Sequence, residues 1–125
     1  MYHSHRKQMD FPMSLEAWGT DDFTKTLELE LSEGQWAFPF WIYTKEGGTV
    51  ELGGAEFTIH RFKEESDSIS VWCTVHFKEE VAMGCRDITD SQQRRGDFIL
   101  TIDMETGQGT TERDSDSPAR NLEYY

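Results

Sequence analysis

Cysteine is nearly missing from this 125-residue chain: Cys73 and Cys85 stand alone, with no partner at CxxC spacing. A disulfide framework and a cysteine-based zinc site are therefore not expected, and the usage fits a reducing, cytoplasmic setting. Long apolar runs are missing as well. None approaches the roughly 20 residues that cross a bilayer, and the opening MYHSHRKQMDF has basic residues without the apolar stretch of a secretory signal. No membrane attachment is expected.

Basic charge is in short supply. Twelve Lys and Arg face 24 Asp and Glu, leaving a formal charge of -12. Such a chain repels nucleic acid, whose binding rests on Lys and Arg neutralising phosphates, and it favours encounter with basic partners. Glycine-rich phosphate loops are lacking too. Gly47-Gly48 and Gly53-Gly54 are not followed by a helix carrying Lys and Ser or Thr, so they read as turns, and no nucleotide or other cofactor is expected.

What is present is a core. Hydrophobic residues make up 36% and aromatics 13%, enough for one domain over residues 10–105, between a flexible arm at 1–9 and a polar tail at 106–125. Within it the hydrophobic period is two. TKTLELEL (24–31) alternates Leu27, Leu29 and Leu31 with Thr26, Glu28 and Glu30, which predicts a strand. WAFPFWIYT (36–44) reads as a strand with Trp36, Phe38, Phe40 and Ile42 on one face and Trp41 and Tyr43 on the other, placed at an edge or bulged by Pro39. KEGG then closes a hairpin into Val50, Glu51 and Leu52.

Further on, EFTIHRF alternates until Phe62, whose misplacement predicts a bulge near Arg61. SISVWCTVHF sends Ile69, Val71, Cys73, Val75 and Phe77 one way and Ser70, Trp72, Thr74 and His76 the other, and is expected at the sheet centre. Residues 79–96 show no alternation and read as a long connection, with a brief helix from Asp90 or Ser91 to Arg95. GDFILTIDM sends Phe98, Leu100, Ile102 and Met104 inward. A very short helix is expected after Ser14 as cap, stopped by Gly19. The fold class is mainly β: an antiparallel sheet of five to six strands, as a meander, sandwich or half-barrel, with one or two very short helices.

Chemistry is sparse. Met1-Tyr2-His3 has the amine-plus-imidazole spacing that chelates copper(II) or nickel(II), but a chance histidine in a short arm is the better explanation and no metal site is assigned. His60 and His76 sit on different strands with no zinc or acid-base spacing linking them. Cys85 beside Arg86 lacks an accompanying oxyanion motif. The adjacent pairs Asp21-Asp22, Glu64-Glu65 and Glu79-Glu80 read as solvated turns. No catalytic set emerges, so an enzyme is not expected.

The constellation that remains is an aromatic patch with acidic edges on the outer strand faces: Trp41, Tyr43, Trp72, His76 and His60, with Glu28, Glu30 and Asp103. It suggests a non-enzymatic, acidic protein-binding module, of inhibitor or immunity type, docking on a basic macromolecular partner. The alternative is a carrier whose barrel or half-barrel encloses a small apolar ligand along WAFPFWIY.

Overall fold

A strand that is apolar on one side must be covered on that side, and one long strand imposes this requirement here. The computed structural model describes residues 9–51, 53–82 and 89–114. In chain order the elements are β1 (Met9–Asp10), α1 (Pro12–Ala17), α2 (Phe23–Glu33), two single-turn 3-10 helices (Gln35–Ala37 and Phe40–Ile42), β2 (Thr49–Val50), β3 (Glu56–Glu64), β4 (Ser68–Ala82), β5 (Thr89–Asp103) and β6 (Gln108–Arg113). The strands form one antiparallel sheet, curled into a half-barrel, in the order β1-β6-β5-β4. The far edge of β4 is shared by β3, along Ile69–His76, and by β2, at Glu79 and Glu80.

β4 lies centrally, as its alternation requires. Ile69, Val71, Cys73, Val75 and Phe77 are buried on the inner face together with Phe98, Leu100 and Ile102 of β5. The bulge also falls where Phe62 places it, as a register shift between Ile59 and Arg61. That extra residue turns Phe62 inward, where its ring meets Trp18 at 5.3 Å and Phe23 at 5.1 Å. Gly19 has φ +89, the left-handed backbone expected just beyond the end of α1.

The strand expected over 24–31 is instead part of α2. Leu27, Leu29 and Leu31 fit a period of two, but Phe23, Leu27 and Leu31 also fall at i, i+4 and i+8. That second set is the one buried, while Leu29 is 50% exposed. Leu, Glu and Lys all favour helix, so local preference and the available apolar surface agree. The strand expected over 36–44 is also absent: Pro39 separates the two 3-10 turns, Phe38, Phe40 and Tyr43 point into the core, and Trp36 is exposed. Because the chain spirals there, "one face" of a strand has no meaning.

Other boundaries move too. The connection expected over 79–96 contributes strand at both ends, Glu79–Ala82 to β4 and Thr89–Gly96 to β5, and no helix starts at Asp90. Its polar residues hid it from a hydrophobic pattern. In the expected tail, Gln108–Arg113 pairs with β5 as β6, and Met9 of the expected arm belongs to β1. Val50 joins β4 and not a preceding strand. Ser14 lies inside α1, which starts at Pro12, rather than capping it. Residues 1–8 of the arm and 115–125 of the tail, with Leu52 and Cys85, lie outside the described residues.

The helices cover the inner face of the sheet, and one carboxylate fastens them together. Glu30 of α2 accepts N–H bonds from Met13 (3.1 Å) and Ser14 (2.8 Å) and the Ser14 hydroxyl proton (2.6 Å), satisfying donors that the first turn of α1 leaves open. The helical register predicts opposite outcomes for two neighbouring leucines. Leu27→Ala should cost about 2–5 kcal/mol in urea unfolding, whereas Leu29→Ala should stay within about 0.5 kcal/mol.

Candidate functional site

On the outer face of the sheet several polar side chains from different strands meet. Register builds it in rows: Thr58, Thr74 and Asp97; then Glu56, His76 and Arg95; then Arg61, Trp72, Ile99 and Glu112. The Arg61 guanidinium lies 3.8 Å from the centre of the Trp72 ring, so one aromatic face is already covered by a cation.

His60, freed from the ladder by the bulge, places Nε2 at 2.6 Å from Thr74 Oγ1, and Thr74 Oγ1 donates to Asp97 Oδ1 at 2.5 Å. A carboxylate only accepts, so the single hydroxyl proton goes to Asp97, and His60 Nε2–H is the donor to Thr74. This order, imidazole to hydroxyl to carboxylate, differs from a nucleophilic triad, in which the imidazole takes the hydroxyl proton. Thr74 is also buried. The chain ties β3, β4 and β5 together and fixes the imidazole on the surface. Arg95 Nη2 adds an ion pair to the same Asp97 oxygen at 3.3 Å.

A second polar centre lies on the inner side, one step beyond the apolar run of β4. Glu79, expected in a solvated turn, has no exposed surface. Its carboxylate accepts backbone N–H bonds from Lys45 (3.0 Å), Glu46 (3.0 Å) and Gly48 (2.6 Å), and Arg94 Nε donates at 2.7 Å. Burial works to raise the Glu79 pKa, but the Gly48, Lys45, Arg94 and Glu46 donors outweigh it and hold the group down at about 2. Sequence reasoning missed this clamp because it broke off the strand at Phe77. The signal was there: Glu79 continues the inward positions 69, 71, 73, 75 and 77.

Of the residues read as one acidic aromatic patch, Trp72, His60 and His76 do share the outer face. The others lie elsewhere. Tyr43 is buried on the inner side, where its ring stacks on Phe38 and lies so close to Gly96 that a Cβ there would stand 2.6 Å away. Burial pushes the Tyr43 phenol far up against the opposing pull of Arg113, and among the described residues its Oη has no hydrogen-bond partner. Trp41 is 74% exposed on the second 3-10 turn. Glu28 and Glu30 belong to α2, the latter engaged with α1. Asp103 Oδ1 accepts the N–H groups of Glu105 and Thr106 in the β5–β6 turn, and these bonds lower its pKa. Thr74, Asp97, Arg95 and Arg61 belong to the outer-face site but were not singled out, since their roles arise only from strand pairing.

Cys73 is buried, and burial pushes its thiol up, away from the reactive thiolate, with Glu28 adding to the shift. Among the described residues no group of three His, Cys, Asp or Glu is placed to hold a metal ion, and no helix is long and apolar enough to cross a membrane. No protein-family model matches the chain, and neither curated proteins nor solved structures give a match.

Two outcomes follow from the polar centres. Because the folded pKa of Glu79 lies below its ordinary 4.5, its charged form favours the fold; that contribution is complete above 4.5 and lost as pH falls towards about 2. Chemical denaturation across this range should show a Glu79→Gln variant that is less stable at neutral pH and flatter in its acid response. An equally steep curve would assign the response to other carboxylates. Thr74→Val should lose about 1–3 kcal/mol by removing the donor to Asp97, and Thr74→Ser should lose less, both read by urea unfolding.

Proposed function

We propose that this chain is a non-enzymatic binding module that docks on a protein with a basic surface, in the manner of inhibitor or immunity-type proteins. The observation that carries this reading is the exposure of Trp41, 74%, in a chain of charge -12. Leu29 (50%) and Trp36 (58%) are exposed in the same stretch of chain. Tryptophan is the residue most enriched at binding hot spots. Asp21, Asp22, Glu33 and Glu46 are exposed on the same α2-to-β2 stretch or just before it, where their charge steers a basic partner.

The docking surface is thus centred on the α2 and 3-10 segment, with Trp41 as anchor. Trp72, which Arg61 already stacks upon, is a weaker candidate. The carrier reading gains no support from the concave side, where Phe38 meets the rings of Phe40, Phe57 and Phe98 at 4.8, 5.4 and 4.8 Å. The protein's own rings occupy that space. A cytoplasmic location accords with the scarcity of cysteine.

Affinity purification from the native source at low salt should recover one basic protein in stoichiometric amount and release it at high salt. With that partner purified, Trp41→Ala should weaken binding at least tenfold, the scale of a hot spot losing about 2 kcal/mol, while its unfolding midpoint stays unchanged. Binding indifferent to both Trp41→Ala and Trp36→Ala rejects the reading, as does recovery of a bound apolar small molecule in place of a protein.

A further inference from the structure

Acids outnumber bases two to one in this chain, yet one hollow of about 240 Å³ is lined by Lys45, His76, Gln93, Arg94 and Arg95, with no carboxylate in its lining. Strand register builds it. His76 of β4 and Arg95 of β5 are direct cross-strand partners, and Gln93 and Arg94 precede Arg95 on the same strand. Lys45 arrives from the loop before β2, held there because its backbone N–H bonds to Glu79 Oε1, the same oxygen that receives Arg94 Nε.

The two arginines are oriented from behind. Arg94, with a side chain only 10% exposed, is paired with Glu79 at 2.7 Å, and Arg95 with Asp97 at 3.3 Å. Arg94 Nε donates to Glu79 and its Nη1 to the Gln93 carbonyl, while Nε and Nη2 of Arg95 both donate to Asp97. Among the described residues no acceptor meets Nη2 of Arg94 or Nη1 of Arg95, and no carboxylate lies within ion-pair distance of the Lys45 ammonium. Two anchored guanidiniums and an ammonium that line one hollow are a donor set suited to a tetrahedral oxyanion. The volume falls below the roughly 300–1,000 Å³ of pockets for drug-sized ligands, a scale suited to a small anion.

We propose that this hollow binds a phosphate group, as the free ion or as a small monoester, held by Lys45 and the unengaged N–H groups of Arg94 and Arg95, with His76 and the Gln93 amide completing the lining. The proposal does not rest on the docking reading, since Trp41 and the acids named with it are absent from the lining of the hollow. Glu79 and Asp97 serve as positioning residues that hold the guanidiniums.

The test is a titration of the full chain with inorganic phosphate and, separately, glycerol phosphate, followed by NMR at the His76 ring and the Gln93 side-chain amide. Sodium chloride at matched ionic strength is the control. Saturable shifts with a Kd of about 1 mM or tighter, absent with chloride, support the site. Equal affinity for both ligands names the free oxyanion as occupant, and tighter binding of glycerol phosphate names the ester; either supports the proposal. Lys45→Gln and Arg95→Gln, both at exposed residues, should each weaken binding several-fold and together at least tenfold, with unchanged unfolding. Lys63→Gln, also exposed but outside the hollow, should leave it unchanged. Shifts no larger than those with chloride, binding undiminished in the double variant, or an equal loss in Lys63→Gln would overturn the proposal.

Discussion

The pairing of β4 with β5 runs from Ser68 opposite Asp103 to Ala82 opposite Thr89, and the other elements take their places from it. Because side chains alternate strictly along a strand, this one register decides what faces inward and what faces outward over most of the sheet. Inward it yields a continuous apolar surface from Ile69 to Phe77 and from Phe98 to Ile102, which α2 and the 3-10 turns must cover. Outward it sets Thr74 beside Asp97 and His76 beside Arg95, and so creates both polar clusters of that face. A slip of one residue would bury the second set and expose the first.

The acidity of the chain has two physical roles. Some carboxylates are internal fasteners: Glu30 joins α2 to α1, Glu79 holds the loop before β2 against the sheet, Asp97 receives Thr74 and Arg95, and Asp103 shapes the last turn. Each accepts donors that would otherwise be left without partners, and for Glu79 and Asp103 these bonds favour the ionised carboxylate despite the repulsion a charge of -12 implies. The remaining acids lie on the surface and set its field. Sequence composition counts the two groups alike, and that is why Glu30 and Asp103 were read as binding acids when each is already engaged within the chain.

Legibility in the sequence followed the contrast between faces. The inner side of β4, its outer residues, the bulge at Arg61 and the inward set from Phe98 to Met104 were all readable, because apolar and polar positions alternate there without ambiguity. The stretch 24–31 was not, since Leu27 and Leu31 satisfy a helix and a strand equally, and only Phe23 and the exposed Leu29 break the tie. WAFPFWIY is apolar throughout and so carries no period. Strand segments at Glu79–Ala82, Thr89–Gly96 and Gln108–Arg113 have few apolar residues; backbone pairing with an already formed neighbour places them, and no hydrophobic signal marks such pairing.

By itself, then, the sequence determined a mainly antiparallel β protein, the inner and outer faces of its two longest strands, the bulge and the strong negative charge, because each follows from local alternation or from composition. Tertiary structure alone decided that 23–33 is a helix, that Trp41 is exposed while Tyr43 is buried, and that His60, Thr74 and Asp97 form one hydrogen-bonded chain. It also decided that Lys45, His76, Arg94 and Arg95 gather around one hollow. Those outcomes depend on which surfaces need covering and which strands lie side by side, contacts between residues far apart in the chain that no local pattern encodes.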